Sequence, residues 1–293
     1  MSQVVIITDS VASLPEEMYE AAHIAMVPYY VHLGGHVLRD MVDIKPTEFC
    51  EYMTELPETA ELPKTANPGP GDYLNAFMAA AERGKDIISF HMTSQGSGAY
   101  QAALIAKEMA LERLRGVRIR VVDTMNVSMC HGWMALQAAR AALQGASLED
   151  IMQMVSRMIP RARMIQTADT LRYLYMGGRI GRAGHLVGSL LRIRPLISMK
   201  EGIIVTLGAA RSRDGAYRRM ASLVRRDVGP GGHIRLALTH AMARGDAERL
   251  AELVKQVVEP VEVLFCQLCP ALTVHTGPGT VGLCYVPDEV SHL

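Results

Sequence analysis

The sequence predicts an α/β fold of two parts, the first a mostly parallel sheet flanked by helices and the second an α+β domain. Three observations predict it. The run QVVIIT at 3–8 has the β-branched composition of a strand buried on both faces. A strand–loop–helix order then continues to about residue 162. Beyond that the order changes to a hairpin followed by alternating helices and strands. The expected boundaries are 1–163 for the N-terminal domain and 164–293 for the C-terminal domain, a usual division for 293 residues.

The first strand ends in Asp9-Ser10, and LPEEMYEAA follows as a helix with Pro15 near its start and acidic residues in its first turn. Doubly wound sheets bind ligands at the carboxyl ends of their strands, so Asp9 and Ser10 stand where function is expected, although they also suit a simple helix cap. IAMVPYYVHL reads as a second strand, GGHVLRD as a turn and short strand ending at Asp40, and KPTEFCEYMTEL as a helix. A Pro- and Gly-rich loop carrying Thr65 and Asn67 leads into a helix over DYLNAFMAAAERG. The strand 87–92 follows, then the loop TSQGSG at 93–98 and a long helix from Ala99. Hydroxyls and glycines at a strand's carboxyl end, just ahead of a helix, suit a carboxylate or oxyanion. VRIRVVDT is a strand ending at Asp123. Two helices follow, with Gly145 stopping the first and Ser147 starting the second.

RMIQTA opens the second part as a short strand. In TLRYLYMGGRIGRAGHLVGSLLRIRP, at 170–195, Gly177 and Gly178 break an amphipathic run and deliver Arg179, and helical spacing resumes at Arg182. Such a turn either cradles an anion or merely connects two helices with a solvated arginine. LISMKEGIIVTLGAAR reads as a hairpin turning at Glu201-Gly202, and Arg211 and Arg213 flank the start of the next helix. HIRLALTHA, GDAERLAELVKQVV and VEVLFCQL give strand, helix, strand. LTVHTGPGTVGLCYV places His275 in a glycine-rich loop before a final strand.

Composition excludes several classes. Thirty basic residues balance thirty acidic ones, so there is no basic footprint for nucleic acid. No apolar run reaches the roughly 18 residues that span a bilayer, so no stable membrane insertion is expected. MSQVVIITDS has no positive n-region, and five scattered cysteines do not make a disulfide framework, which points to a cytoplasmic protein. Cys266 and Cys269 form a C-x-x-C at the end of an apolar run without a second pair, as buried structural thiols do. The ten histidines form no H-x-x-x-H, and no metal or other cofactor is expected. Nineteen methionines against four phenylalanines suit either ordinary core packing or a deformable apolar site.

Thr65, Ser97, His275 and the arginines 179, 211 and 213 have no obvious structural task. Nucleotide binding lacks its signatures: there is no Walker A pattern, and the G-x-G at 96–98 has no third glycine. Hydrolysis by Ser97 with His275 as base would need an orienting acid and a strained turn, and G-S-G is only part of the G-x-S-x-G elbow. A carboxylate held by hydroxyls and an imidazole, with an apolar tunnel for its tail, remains.

Six segments in order make the chain resemble the DegV family of fatty-acid-binding proteins, which includes the binding subunit of bacterial fatty acid kinase. They are VVIITDSVASLP at 4–15, VPYYVHLGGHVLRDMVDI at 27–44, KTANPGPGDYLNAF at 64–77, ISFHMTSQGSGAYQAA at 88–103, the 169–197 stretch with its L-x-x-L-x-x-G-G-R-I pattern, and HTGPGTVGL at 275–283. The resemblance implies two α/β domains and a long-chain fatty acid as ligand. It implies carboxylate contacts from Thr65, Ser97 and His275, and a kinase partner or phosphoryl contact for Arg179 and Arg213, a role that the neighbouring Arg211 would share. It implies a binding protein, not a catalyst, that presents the acid for acyl-phosphate formation. The alternative is a serine-dependent hydrolase using Ser97 and His275. The chain departs from the family pattern at Ala66, Asn67, Ala99 and Gly181, which thins the hydroxyls around the three donors. The apolar run 186–191 is expected to line or support the tunnel.

Overall fold

The computed structural model describes residues 4–57, 59–184 and 193–293. Strand β1 (Val4–Asp9) leads to α1 (Glu16–Ala21), β2 (Ala25–Val27), β3 (Tyr30–Leu33), β4 (His36–Arg39) and α2 (Pro46–Glu55). Then come β5 (Lys64–Ala66), α3 (Pro70–Arg83), β6 (Asp86–His91), α4 (Ala99–Arg113), β7 (Arg118–Asp123), α5 (Met129–Leu143) and α6 (Leu148–Met158). The second part holds β8 (Arg163–Thr167), α7 (Arg172–Met176), β9 (Arg194–Lys200), β10 (Ile203–Ala210), α8 (Arg213–Val228) and β11 (His233–His240). It closes with α9 (Arg244–Lys255), β12 (Glu259–Gln267), α10 (Pro270–Thr276) and β13 (Val281–Pro287).

The described residues form three sheets. The first is parallel, in the order β2-β1-β6-β7. Every residue of β1 and β6 is buried, as a strand covered on both faces requires. Alternation assigns the faces. Val5, Ile7 and Ile87 pack with α3 and α4, whereas Val4, Ile6 and Ile88 pack with α5 and α6. The second sheet has six strands in the order β10-β9-β8-β13-β11-β12 and is antiparallel except for the β11–β12 pair. One face carries α8 and α9 over Leu236, Leu238 and Leu283. Its other face reaches α5: Ala237, Cys284 and Val286 share a core with Trp133, whose Nε1 donates to the Cys284 carbonyl at 3.3 Å. Helix α5 is thus sandwiched between two sheets, which explains why nearly all of it is buried. A third small antiparallel sheet, β4-β3-β5, stands beside α10.

The structure corrects three local readings. The stretch 24–33 is two strands in different sheets: β2 joins the parallel sheet and β3 the small one. Pro28 falls between them and has no N–H for a ladder. The loop around Thr65 contains β5, paired with β3. His275 sits on α10 instead of a loop, with Pro270 in the helix's first turn and Gly277 ending it at φ 80°. Cys266 and Cys269 are fully buried, and burial pushes both thiols up. The apolar run 186–191 lies outside the described residues.

Candidate functional site

The order of the parallel sheet reverses direction between β1 and β6, so the loops after these two strands diverge at a crevice. Val11 from the first loop, and Thr93 with Gln95 to Gly98 from the second, line a cavity of about 410 Å³. That volume falls in the range of roughly 300–1,000 Å³ usual for small-molecule sites. The opposite wall comes from the second sheet, through Met164 and Gln166 on β8, Ile197 and Met199 on β9, and Ile203 and Ile204 on β10. Leu174 of α7 and Leu272 of α10 extend the apolar lining.

The hairpin joining β9 to β10 docks directly on the loop of the first sheet. Thr93 Oγ1 donates to the Gly202 carbonyl at 2.9 Å. A Cβ at Gly202, where φ is +77°, would stand 2.4 Å from that hydroxyl oxygen. The turn at Glu201-Gly202 therefore closes the cavity as well as reversing the chain.

Thr65, Ser97, His275 and Arg179 all line this cavity. Thr65 lies on β5 and His275 on α10, and Thr65 Oγ1 is 2.8 Å from His275 Nε2. Ser97 precedes α4 and its Oγ is 2.7 Å from the hydroxyl of Tyr29. Tyr29 also lines the cavity and is buried, a contact that no local pattern signals, since 68 residues separate the pair. Burial, and secondarily the charge of Arg179, pushes the His275 imidazole down to about 4. It is therefore neutral near pH 7, with one ring N–H to donate and one lone pair to accept.

Gly177 is what lets the imidazole sit there. A Cβ at this position would fall 2.3 Å from His275 Nδ1. Gly178 follows at φ +70°, and the two glycines turn α7 back so that Arg179 is delivered to the cavity's solvent side. The Arg179 guanidinium is exposed and donates to the Gly177 carbonyl at 2.7 Å.

The other two arginines do not line the cavity. Arg213 starts α8 and is held by carboxylates on two sides: Asp169, at 2.7 Å, and Asp246. Arg211 is exposed, with no side-chain partner among the described residues. Asp9 and Ser10 also stand away from the cavity wall. Asp9 is buried between His131 and His91, 3.6 and 3.7 Å away, and burial pushes its carboxyl up to about 6. Ser10 donates to Asp40 and accepts from the Tyr29 amide. These strand-end residues brace the loops that shape the cavity.

Ser97 and His275 are not joined as the nucleophile and base of a hydrolytic triad in this structure. Ser97 pairs with Tyr29 and His275 with Thr65, so the nucleophile–base bond is not formed. His275 Nδ1 packs on Gly177 with no hydrogen-bond partner among the described residues.

An α/β protein with a largely apolar cavity between its two larger sheets, ringed on one side by neutral donors and a cation, has the form of a small-molecule binding protein. The chain belongs to the DegV family: the family described as "Uncharacterised protein, DegV family" matches residues 3–288. A DegV domain-containing protein of Deinococcus radiodurans is 32% identical over 290 residues, covering 97% of this chain and 98% of its own. A solved Thermus thermophilus structure, described as fatty acid binding of a DegV family protein, is 29% identical with a TM-score of 0.90, covering 98% of this chain and all of its own. A stearic acid-binding protein of Eubacterium ventriosum is 26% identical with a TM-score of 0.89, covering 98% of this chain and 99% of its own.

Proposed function

We propose that this chain binds a long-chain fatty acid in the cavity between its two larger sheets. The carrying observation is that two hydroxyls and a neutral imidazole border one largely apolar cavity that has Arg179 at its solvent side. The fatty acid binding described for the Thermus and Eubacterium proteins supports the same reading. Ser97 and Thr65 donate to the carboxylate and His275 contributes a third hydrogen bond. Hydroxyls rotate, so both can leave their present partners for an anionic acceptor, and hydrogen bonds to a charged group are the stronger ones. The tail is held by burial, worth about 0.8 kcal/mol per CH₂, which favours long chains over short ones.

The protein acts as a carrier and not as a catalyst. Arg179, exposed beside the donor cluster, is the group best placed to meet a phosphoryl group or a kinase subunit acting on the bound acid. Arg211 offers a second free cation for such a partner, and the aspartate-clamped Arg213 fixes the start of α8 next to it.

Native mass spectrometry of the delipidated protein with palmitate or oleate tests binding. A one-to-one complex is expected. A spectrum that stays ligand-free with both acids contradicts the proposal, and turnover of a p-nitrophenyl ester lost in Ser97→Ala would replace it with a hydrolase. Arg179→Glu is expected to lower kinase-dependent phosphorylation of the acid while the complex persists. Loss of the complex would instead assign Arg179 to the pocket.

A further inference from the structure

Two buried polar side chains in the cavity wall, Gln166 and Ser128, each carry an atom without a hydrogen-bond partner among the described residues and have no role in the scheme above. Gln166 lies on β8 opposite Ile197 of β9. Strand alternation puts it on the same face as Met164, toward the cavity, while Ile165 points to the α8–α9 core. Gln166 is only 5% exposed, and its Nε2 has no hydrogen-bond partner among the described residues. Ser128 lines the same cavity at the N-terminus of the fifteen-residue α5, which packs on β8. It is 3% exposed, and its Oγ has no partner among the described residues. The hydroxyl does not cap its own helix, although serine at that position ordinarily does. Its backbone also adopts φ 54° and ψ −146°, a region that costs a residue with a side chain and that is found where function demands it.

Buried polar groups are almost always hydrogen-bonded, to protein or to ordered water. Here an amide and a hydroxyl share the wall of a cavity whose surroundings are Met164, Met199, Ile197 and Val127. The chemistry available is neutral. Arg179 is the one basic side chain in the described lining, and it stands on the solvent side. A second carboxylate or a phosphate against Gln166 would be a buried charge without a counter-ion. A hydroxyl or keto oxygen fits, because the amide carries donors and an acceptor and a serine hydroxyl can act as either.

We propose that Gln166 and Ser128 form a polar subsite that selects an acyl chain bearing a neutral oxygen substituent, a hydroxy or oxo fatty acid, over the unsubstituted chain. The proposal rests on the fatty-acid reading and adds its substrate class. Gln166 meets the substituent from the β8 side and Ser128 from the end of α5. An unsubstituted tail leaves both groups unpaired when it fills the cavity, so discrimination arises from hydrogen bonds that only the substituted chain can supply.

The test is displacement of a fluorescent fatty acid from the delipidated full chain by stearate and by a positional series of monohydroxystearates. Wild type, Gln166→Met and Ser128→Gly are compared, and circular dichroism melts establish that each is folded. Methionine keeps the shape of glutamine without its amide, and glycine accepts the positive φ of position 128. At least one positional isomer is expected to displace the probe roughly ten-fold better than stearate from wild type, the scale of one added buried hydrogen bond. That advantage is expected to fall to near unity in Gln166→Met and to shrink in Ser128→Gly, with stearate affinity kept. Equal displacement by stearate and every hydroxystearate in wild type overturns the subsite, as does an advantage that survives in both variants. Failure of stearate and all hydroxystearates to displace the probe from wild type overturns the fatty-acid reading itself.

Discussion

On the half-buried side of the cavity, the proposed carboxylate contacts are already paired with one another or with a neighbour: Thr65 with His275, and Ser97 with Tyr29. In the buried wall, Gln166 Nε2 and Ser128 Oγ are paired with nothing among the described residues. The first arrangement exchanges protein partners for ligand partners and costs the unliganded fold little. The second carries a standing cost, because an unsatisfied buried polar group destabilises by about 1–3 kcal/mol. The carboxylate contacts thus start from protein partners, His275 Nδ1 excepted, whereas Gln166 Nε2 and Ser128 Oγ start from none among the described residues. Substitutions on the two sides should therefore move stability in opposite directions.

The largest effect is expected at Gly177→Ala. The new methyl would overlap His275 Nδ1 and displace the imidazole from Thr65. Fatty-acid affinity by calorimetry should fall about a hundred-fold, roughly 2–3 kcal/mol. Unchanged affinity would remove His275 from the site.

Thr65→Val and Ser97→Ala come next, at about ten-fold each, or near 1.4 kcal/mol. Thr65→Val should also lower the melting temperature of the ligand-free protein, because it leaves His275 Nε2 unpaired. If both variants bind as tightly as wild type, the carboxylate lies elsewhere.

A smaller, spectroscopic effect sharpens the electrostatics. In the ligand-free protein the His275 ring should titrate with a midpoint about 4 by NMR. Arg179→Ala should raise that midpoint, though not to the ordinary value of about 6.5, because burial is the larger cause. The sign for stability follows from a depressed folded value. The His275 contribution is fully present above pH 6.5, where the ring is neutral in both states, and is lost as pH falls toward 4. A midpoint near 6.5 in the free protein would mean that the imidazole is solvated and the site open.

The smallest effect, and opposite in sign, is expected for Gln166→Met in the ligand-free protein. Removing the unpaired amide should stabilise it by about 1 kcal/mol, or raise the melting temperature by roughly 2–4 °C. A drop of that size would show that the amide has a partner in solution.

The sequence exposes most of this framework where the signal is local. The buried runs of β1 and β6, the Gly145–Ser147 break between α5 and α6, and the Glu201-Gly202 hairpin each depend on residues within one short window. Features that depend on distant partners are not legible in the same way. The split of 24–33 between two sheets is decided by what each half pairs with, even though Pro28 marks the place. Three-residue β5 is too short for a period, and it exists because β3 pairs with it. The helix at His275 had a usable signal in Pro270 and Gly277, which the glycine-rich context of the following residues obscures. The pairing of Tyr29 with Ser97, the contact of Gly177 with His275 and the unpaired state of Gln166 are set by the fold alone. Thr65, Ser97 and His275 stand out in the sequence as polar residues without a structural task, the family resemblance gives them a shared role, and the cavity lining contains all three.

The most direct measurement is a crystal structure of the full chain with palmitate. The carboxylate is expected within hydrogen-bond distance of Ser97 Oγ and of Thr65 or His275, with the tail running along Ile197, Met199 and Leu272 of the cavity wall. A carboxylate buried against Gln166 and Ser128, with the tail toward Arg179, would contradict it, as would an acid bound outside the cavity.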